Sequence, residues 1–243
     1  LAAVAARSGA EIVDVRRPPP RLTVGLGRAA HASAHIVLTV GSDCNVGKMT
    51  TSLELQAELQ RRGVRTAFVA TGQTGIMIAG SGIAVDAVPA DFVSGAVERL
   101  VLEAARDHEV VIVEGQGSLH HPAFSSVTLG LLHGSCPDDL VLCHHHGRAR
   151  MRIGSEADGP AVPTLEQSRD AHEVAAAWVR PSRVVAVAVN TWGAADGEAR
   201  EACDAAARAL GVPATDPIRF GAGPIANAIM SRAERRPDVL KPH

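Results

Sequence analysis

The densest chemistry in the chain lies in Gly41-Ser42-Asp43-Cys44-Asn45-Val46-Gly47-Lys48-Met49-Thr50-Thr51. A glycine-bounded loop that ends in Gly-Lys, between a strand and a helix, is the pattern of a phosphate-binding loop. Its backbone N–H groups converge and the helix N-terminus adds positive partial charge, so phosphate oxygens find a nest. Lys48 places an ammonium beside the outer oxygens. Composition singles this residue out: of 24 Lys plus Arg, only Lys48 and Lys241 are lysine. A compact ammonium on a flexible stem suits a tight nest better than a planar guanidinium does. The loop departs from the common pattern twice. Five residues rather than four separate Gly41 from Gly47, and Met49 stands where a Ser or Thr hydroxyl ordinarily holds magnesium. Thr50 or Thr51 is the alternative source of that hydroxyl.

A second group of candidates sits at the ends of apolar runs. Glu114 closes Glu109-Val110-Val111-Ile112-Val113 and opens Gly115-Gln116-Gly117-Ser118. An acidic residue in that place, downstream of a phosphate loop, positions magnesium or a catalytic water. If magnesium is used, Asp43, Glu114 and Thr50 are its expected ligands. The polar loop Thr71-Gly72-Gln73-Thr74-Gly75 follows another apolar run, where α/β folds bind ligands. Gln73, Thr74, Gly75, Gln116 and Gly117 are therefore expected around the nucleotide, with the residues of the phosphate loop. His120 and His121 are candidates for acid/base work alongside Glu114. Asp91 either caps the helix that follows it or contacts substrate. His144-His145-His146 invites a zinc reading, but consecutive side chains in an extended segment alternate faces and cannot easily grip one ion.

The elements that must position these residues read as follows. His35–Val40 is a buried strand and Ser52–Arg62 continues a helix stopped by Gly63. Arg65–Ala70, Glu109–Val113, Asp139–Cys143 and Arg183–Val189 read as further strands, the last ending in Asn190-Thr191. Helices are expected over the amphipathic 92–100, over 165–179 with Thr164 as cap, over 198–210 and over 224–233. Gly211–Pro217 reads as a short edge and turn. Upstream, Ala2–Ala6 looks helical, Glu11–Val15 reads as a short strand broken by Pro18-Pro19-Pro20, and Arg16–Ala34 reads as a linker or surface arm. Arg148–Gly159 is polar and loop-like. The alternation predicts an α/β fold, a doubly wound, mainly parallel sheet flanked by helices, of the P-loop NTPase kind. Residues 1–34 are read as the remnant of an upstream domain or a linker arm, and residues 35–243 as the P-loop domain.

Composition narrows the partners. The net charge is −2 and aromatics make up 2%, so a stacking nucleic-acid surface is not expected. No apolar run reaches about 18 residues, so no membrane span is expected either. Cys44, Cys136, Cys143 and Cys203 have no paired spacing, and with no signal peptide in view the expected setting is the cytoplasm.

The five-residue spacing around Asp43, the strand ending in Glu114-Gly115 and the strand ending in Asn190 resemble dethiobiotin synthetase and its relatives, in which that Asn reads the nucleotide base. A closer likeness rests on five segments together: Gly41–Thr51, Ala70–Gly75, Ala90–Ala96, Val113–Ser118 and Leu131-Leu132-His133-Gly134-Ser135. In these the chain resembles a bacterial and archaeal family, long carried as a domain of unknown function, that includes D-glutamate N-acetyltransferase. The resemblance covers about residues 10 to 230. It implies acetyl transfer from acetyl-CoA to the amine of an acidic D-amino acid, a small-molecule substrate. CoA carries a pyrophosphate and a 3′-phosphate, so a phosphate loop can hold it as readily as ATP. Acyl transfer needs a base and a stabiliser for the carbonyl oxygen but no bridging magnesium, so it tolerates Met49. Two other readings stand beside it: an ATP- and magnesium-dependent ligase or kinase of the dethiobiotin synthetase type, and a nucleotide-sensing binding protein. The apolar Ile76–Gly82 and the Asp91 region look suited to a homo-oligomer interface, most simply a two-fold dimer.

Overall fold

In the computed structural model, which describes residues 1–153 and 159–235, the run His35–Gly41 forms the central strand β1 and is buried at every position. It is flanked by β3 (Val110–Val113) and β4 (Asp139–His145), both parallel to it. With β2 (Thr66–Val69), β5 (Arg183–Asn190) and β6 (Ala214–Thr215) they make a six-stranded sheet in the order β2-β3-β1-β4-β5-β6, parallel throughout. Parallel neighbours require helical crossovers that cover both faces, which is why these strands are continuously apolar rather than alternating.

The helices are α1 (Ala2–Ser8), α2 (Lys48–Arg61), α3 (Gln73–Ala79), α4 (Val93–Ala104), α5 (Ser125–Ser135), α6 (Leu165–Ala177), α7 (Asp196–Leu210) and α8 (Gly223–Ala233). Leu55 and Leu59 of α2 and Ile225, Ala226 and Ile229 of α8 share one core with Val37 of β1. Ile36, Leu38 and Val40 of the same strand face the other way, into a core built with α4, α5, α6 and α7. The chain leaves β1 in one direction, toward β2, and later crosses to β4 on the other side. Right-handed crossovers in opposite directions put their helices on opposite faces. The reversal opens a crevice at the C-terminal end of β1, where the phosphate loop lies.

Several sequence expectations change. Glu11–Val15 is not a strand: it runs extended with Ile12 and Val13 exposed, and only Val15 packs, against Ala70, Ile76 and Ala84. β-Branched residues favour a strand only when a ladder partner exists. The stretch Arg16–Ala34, read as a linker or surface arm, is built into the core in its second half. Ala29 and Ala34 are buried, and the buried carboxylate of Glu98 on α4 accepts the N–H groups of Leu26 (3.1 Å) and Arg28 (2.6 Å) and pairs with the Arg28 guanidinium. Contacts of that range leave no local periodicity to read. Gln73, Thr74 and Gly75 are not loop but the first turn of α3. Asp91 does not cap α4; it lies exposed in a 3-10 turn, and the cap position is Phe92 without a side-chain bond. The cap of α6 is as expected, with Thr164 and Gln167 closing a reciprocal capping box. Of the polar stretch 148–159, residues 154–158 lie outside the described residues. Among the described residues no helix is long and apolar enough to cross a membrane.

Candidate functional site

The phosphate loop turns on two residues in the left-handed region, Asn45 (φ 53°) and Gly47 (φ 105°). Gly47 takes that conformation at no steric cost and lets α2 start at Lys48. The Lys48 ammonium is buried and donates to the carbonyl of Asp43 at 2.9 Å. Burial holds its pKa below the ordinary lysine value, opposed chiefly by the nearby thiols of Cys143 and Cys44 and the Asp43 carboxylate. A phosphate offers this cation the full counter-charge that a carbonyl dipole does not.

One residue that local sequence did not signal organises the loop. Arg148 donates to the Asp43 carboxylate (3.1 Å) and to the carbonyls of Cys44 (2.6 Å) and Asn45 (3.2 Å). Asp43 also accepts the N–H of Cys44 at 2.7 Å. Behind the loop, Ser42 bonds His144 Nδ1 at 2.9 Å. Burial, then the charges of His145, His146 and Arg148, push His144 down to about 4. The three histidines diverge as an extended segment requires: His145 Nδ1 bonds the His146 carbonyl and His146 Nε2 pairs with Glu198.

Glu114 lies beside the loop, at the end of β3, and is buried. One carboxylate oxygen accepts the N–H groups of Thr71 (2.9 Å) and Gly72 (3.0 Å). Burial raises its pKa, against the pull of those bonds, of Gln116 and of the Lys48 charge. The approach is close enough that a Cβ on Gly75 would stand 2.4 Å from this carboxylate. Gln116 donates to Thr71 Oγ1 at 3.2 Å, and its own carbonyl, just before the left-handed Gly117, accepts from Thr128 at 2.7 Å. Gln73 and Thr74 are exposed, and Gln73 Oε1 is taken by Arg16.

The residues expected around magnesium, if it is used, have the following surroundings. Asp43 pairs with Arg148 and one oxygen of Glu114 takes two backbone N–H groups, while Met49 offers only a thioether, a poor ligand for a hard ion. Thr50 faces a different space. It lines, with Val46, Gly47, Asn190, Trp192 and Asp216, a cavity of about 300 Å³ at the first turn of α2 and the end of β5. There Asn190 uses its oxygen to accept the Trp192 N–H (3.0 Å) and keeps its amide N–H groups to offer, and Trp192 is 85% exposed. Burial opposes ionisation of Asp216, but bonds from Thr191 and from the N–H groups of Arg219 and Ile218 outweigh it and lower its pKa.

The two candidate histidines have different surroundings. His121 is buried: Nδ1 accepts the Ala123 N–H (3.2 Å), so Nε2 donates to the Arg152 carbonyl (2.9 Å), and the ring stacks on Phe124. With both nitrogens engaged it is fixed in place. It stands against the phosphate loop, where one ligand atom each from His121, Asp43 and Cys44 lie within 4.8 Å of one another. Burial raises the Cys44 pKa, against the pull of the Lys48 and Arg148 charges and with Asp43 adding to the rise. His120 instead lines a second cavity, about 590 Å³, with Met151, Pro160, Val162, Gln167 and Asp170. Burial lowers its pKa.

A parallel six-stranded sheet with a phosphate loop at the end of its central strand defines a P-loop α/β protein. Cobyrinic acid a,c-diamide synthase from Mycobacterium smegmatis, solved with ADP and magnesium, shares this fold at a TM-score of 0.52 and 13% identity, over 84% of this chain and 94% of that one. Residues 23–226 match the family model DUF1611, described as "Domain of unknown function (DUF1611_C) P-loop domain", and the chain belongs to that family. The family resemblance carried by the motifs is thereby borne out. A DUF1611 family protein from Anabaena variabilis has the same structure at a TM-score of 0.87 and 41% identity, covering 92% of this chain and 65% of that one. D-Glutamate N-acetyltransferases of Pseudoalteromonas sp. and Tritonibacter scottomollicae are 41% and 42% identical over 91% and 94% of this chain. The chain spans 65% and 67% of their respective lengths.

Proposed function

We propose that this chain is the nucleotide-binding and catalytic part of an N-acetyltransferase that moves an acetyl group from acetyl-CoA to the amine of an acidic D-amino acid, D-glutamate first. One observation supports acyl over phosphoryl transfer: the hydroxyl position is a thioether, and Asp43 beside it is paired with Arg148. Phosphoryl transfer leans on a metal to neutralise charge at the phosphates, whereas acyl transfer does not. The names of the two relatives point the same way.

In this reading the loop and Lys48 hold the CoA phosphates. The 300 Å³ cavity receives the adenosine part, with Asn190 offering N–H groups to the base and Trp192 an aromatic face. The incoming amine needs a base, and the thioester oxygen needs N–H donors as charge develops on it. We also assign a homodimer to the surface around α3, where Met77 and Ile78 are 66% and 56% exposed.

The test is incubation with acetyl-CoA or ATP and a panel of D- and L-amino acids, following free thiol, ADP and product mass. Thiol release with N-acetyl-D-glutamate formed is the expected result. ADP formed in step with product, and no thiol, would replace this reading with an ATP-dependent one. A monomeric mass by light scattering at micromolar concentration would remove the dimer.

A further inference from the structure

Buried polar atoms in folded proteins nearly always have partners. Among the described residues, five side-chain atoms are buried with none: His35 Nδ1 on β1, and Ser118 Oγ, His120 Nδ1, Ser168 Oγ and His172 Nε2. The last four come from two segments, the loop after β3 and α6. The two segments meet at the 590 Å³ cavity, which has His120 on one wall and Gln167 and Asp170 of α6 on another. His172 is fully buried, and its Nδ1–H donates to the Ser168 carbonyl at 2.6 Å. That bond fixes the tautomer and leaves Nε2 as a bare lone pair. Such a concentration of unmet acceptors and hydroxyls calls for a polar visitor, a ligand or water with N–H or O–H to give.

We propose that this cavity receives the acceptor's amino group, that His120 is the base that takes its proton, and that His172 is the positioning residue behind it. The inference rests on the acetyl-transfer reading and adds to it the amine site and a residue no motif marked. Burial, the Ser168 bond notwithstanding, pushes His172 down to about 4, with His120 and Lys48 adding to the fall, so it is a neutral acceptor at physiological pH. His120 is one residue from His121, which stands against the loop assigned to the donor, so amine and thioester can be brought together. The acceptor arrives as an ammonium. One proton passes to His120 and on to solvent, and the free amine attacks the thioester carbonyl. The C–N bond forms, the C–S bond breaks, and the second nitrogen proton leaves through His120 to the CoA thiolate. The balance is N-acetyl product, CoA thiol and one proton released.

The test combines ring-nitrogen NMR with kinetics. Protein labelled with ¹⁵N-histidine is titrated with D-glutamate at millimolar concentration, with signals assigned from His120→Asn and His172→Asn. The His120 and His172 ring nitrogens are expected to shift. If neither moves, the cavity is not the amine site, whatever the acetylation assay gives. If both move but the wild type transfers no acetyl group, the amine site stands and the acetyl-transfer reading falls. In turnover, His120→Gly should lose roughly 100-fold in kcat and regain part of it with added imidazole. His172→Gln should lose about tenfold in kcat, with acetyl-CoA binding by thermal shift and the KM for amine little changed. His172→Asn serves as the second variant where glutamine disturbs packing. Wild-type kcat in either folded His172 variant, or no imidazole rescue of His120→Gly, would overturn the roles assigned.

Discussion

The two cavities, one lined by the phosphate loop and the end of β5, the other by His120 and α6, are built differently. Around the 300 Å³ cavity the polar groups are already partnered: Asn190 by the backbone N–H of Trp192, Asp216 by Thr191 and two further N–H groups. At the 590 Å³ cavity, the lining residue His120 has a buried nitrogen without a partner, and Ser118, Ser168 and His172, from the same two segments, carry three more such atoms. A pre-satisfied pocket binds by shape, stacking and a few spare donors, and keeps its form without ligand. An under-satisfied one holds desolvated groups whose cost is relieved only when the right polar ligand arrives, which favours selectivity over resting stability.

Acid is expected to expose both sides most strongly. His144, behind the phosphate loop, and His172, beside the second cavity, each have a folded-state pKa near 4 against 6.5 for the free side chain. The unfolded chain therefore binds more protons between these values. Stability is full above about 6.5 and is lost as pH falls toward 4, on the order of a few kcal/mol per histidine. Denaturant melts from pH 7.5 to 4.5 should show the loss, and His172→Gln should remove part of it. A flat profile would mean that neither imidazole is held neutral by burial.

Next in size is Lys48→Ala, expected to weaken acetyl-CoA by roughly 2 kcal/mol, about 30-fold, by calorimetry, while the D-glutamate signals in the NMR titration keep their response. Equal loss on both sides would erase the division of labour between the cavities. Arg148→Lys is expected to cost about tenfold in acetyl-CoA affinity, because one ammonium cannot reach Asp43 and two loop carbonyls in the fork geometry of a guanidinium. Trp192→Ala should cost a similar or smaller factor, about 1 kcal/mol, in acetyl-CoA affinity alone. An effect on the acceptor's KM instead would place the base pocket elsewhere.

The smallest expected effect is that of a chelator. With Asp43 paired to Arg148 and Met49 in the hydroxyl position, acetyl transfer should survive excess EDTA nearly unchanged. Full loss, restored by magnesium alone, would show that the Arg148–Asp43 pair opens to admit an ion and that the loop side is not pre-formed.

Contiguous signals were legible in the sequence because their physics is local. A β-branched run, a glycine-bounded turn and the helix after it need only near neighbours, so the strands, the loop and the mainly parallel sheet could be read directly. The Thr164 and Gln167 cap falls in the same class. Glu114 was visible because a strand end next to a phosphate loop is a topological position. The tertiary structure alone decided the rest. Arg148 reaches Asp43 across 105 positions of chain. Glu98 ties down an arm some 70 residues upstream. His120 and His121 are chain neighbours with the same side chain, yet one ring has both nitrogens engaged and the other keeps a bare one. His172 carries no motif at all; its role depends on a bond to Ser168 that sets the tautomer and on burial that keeps it neutral. Sequence specifies which groups are present and how the backbone runs locally. Which nitrogen is left without a partner depends on burial and on contacts between distant segments, and those exist only once the chain has folded.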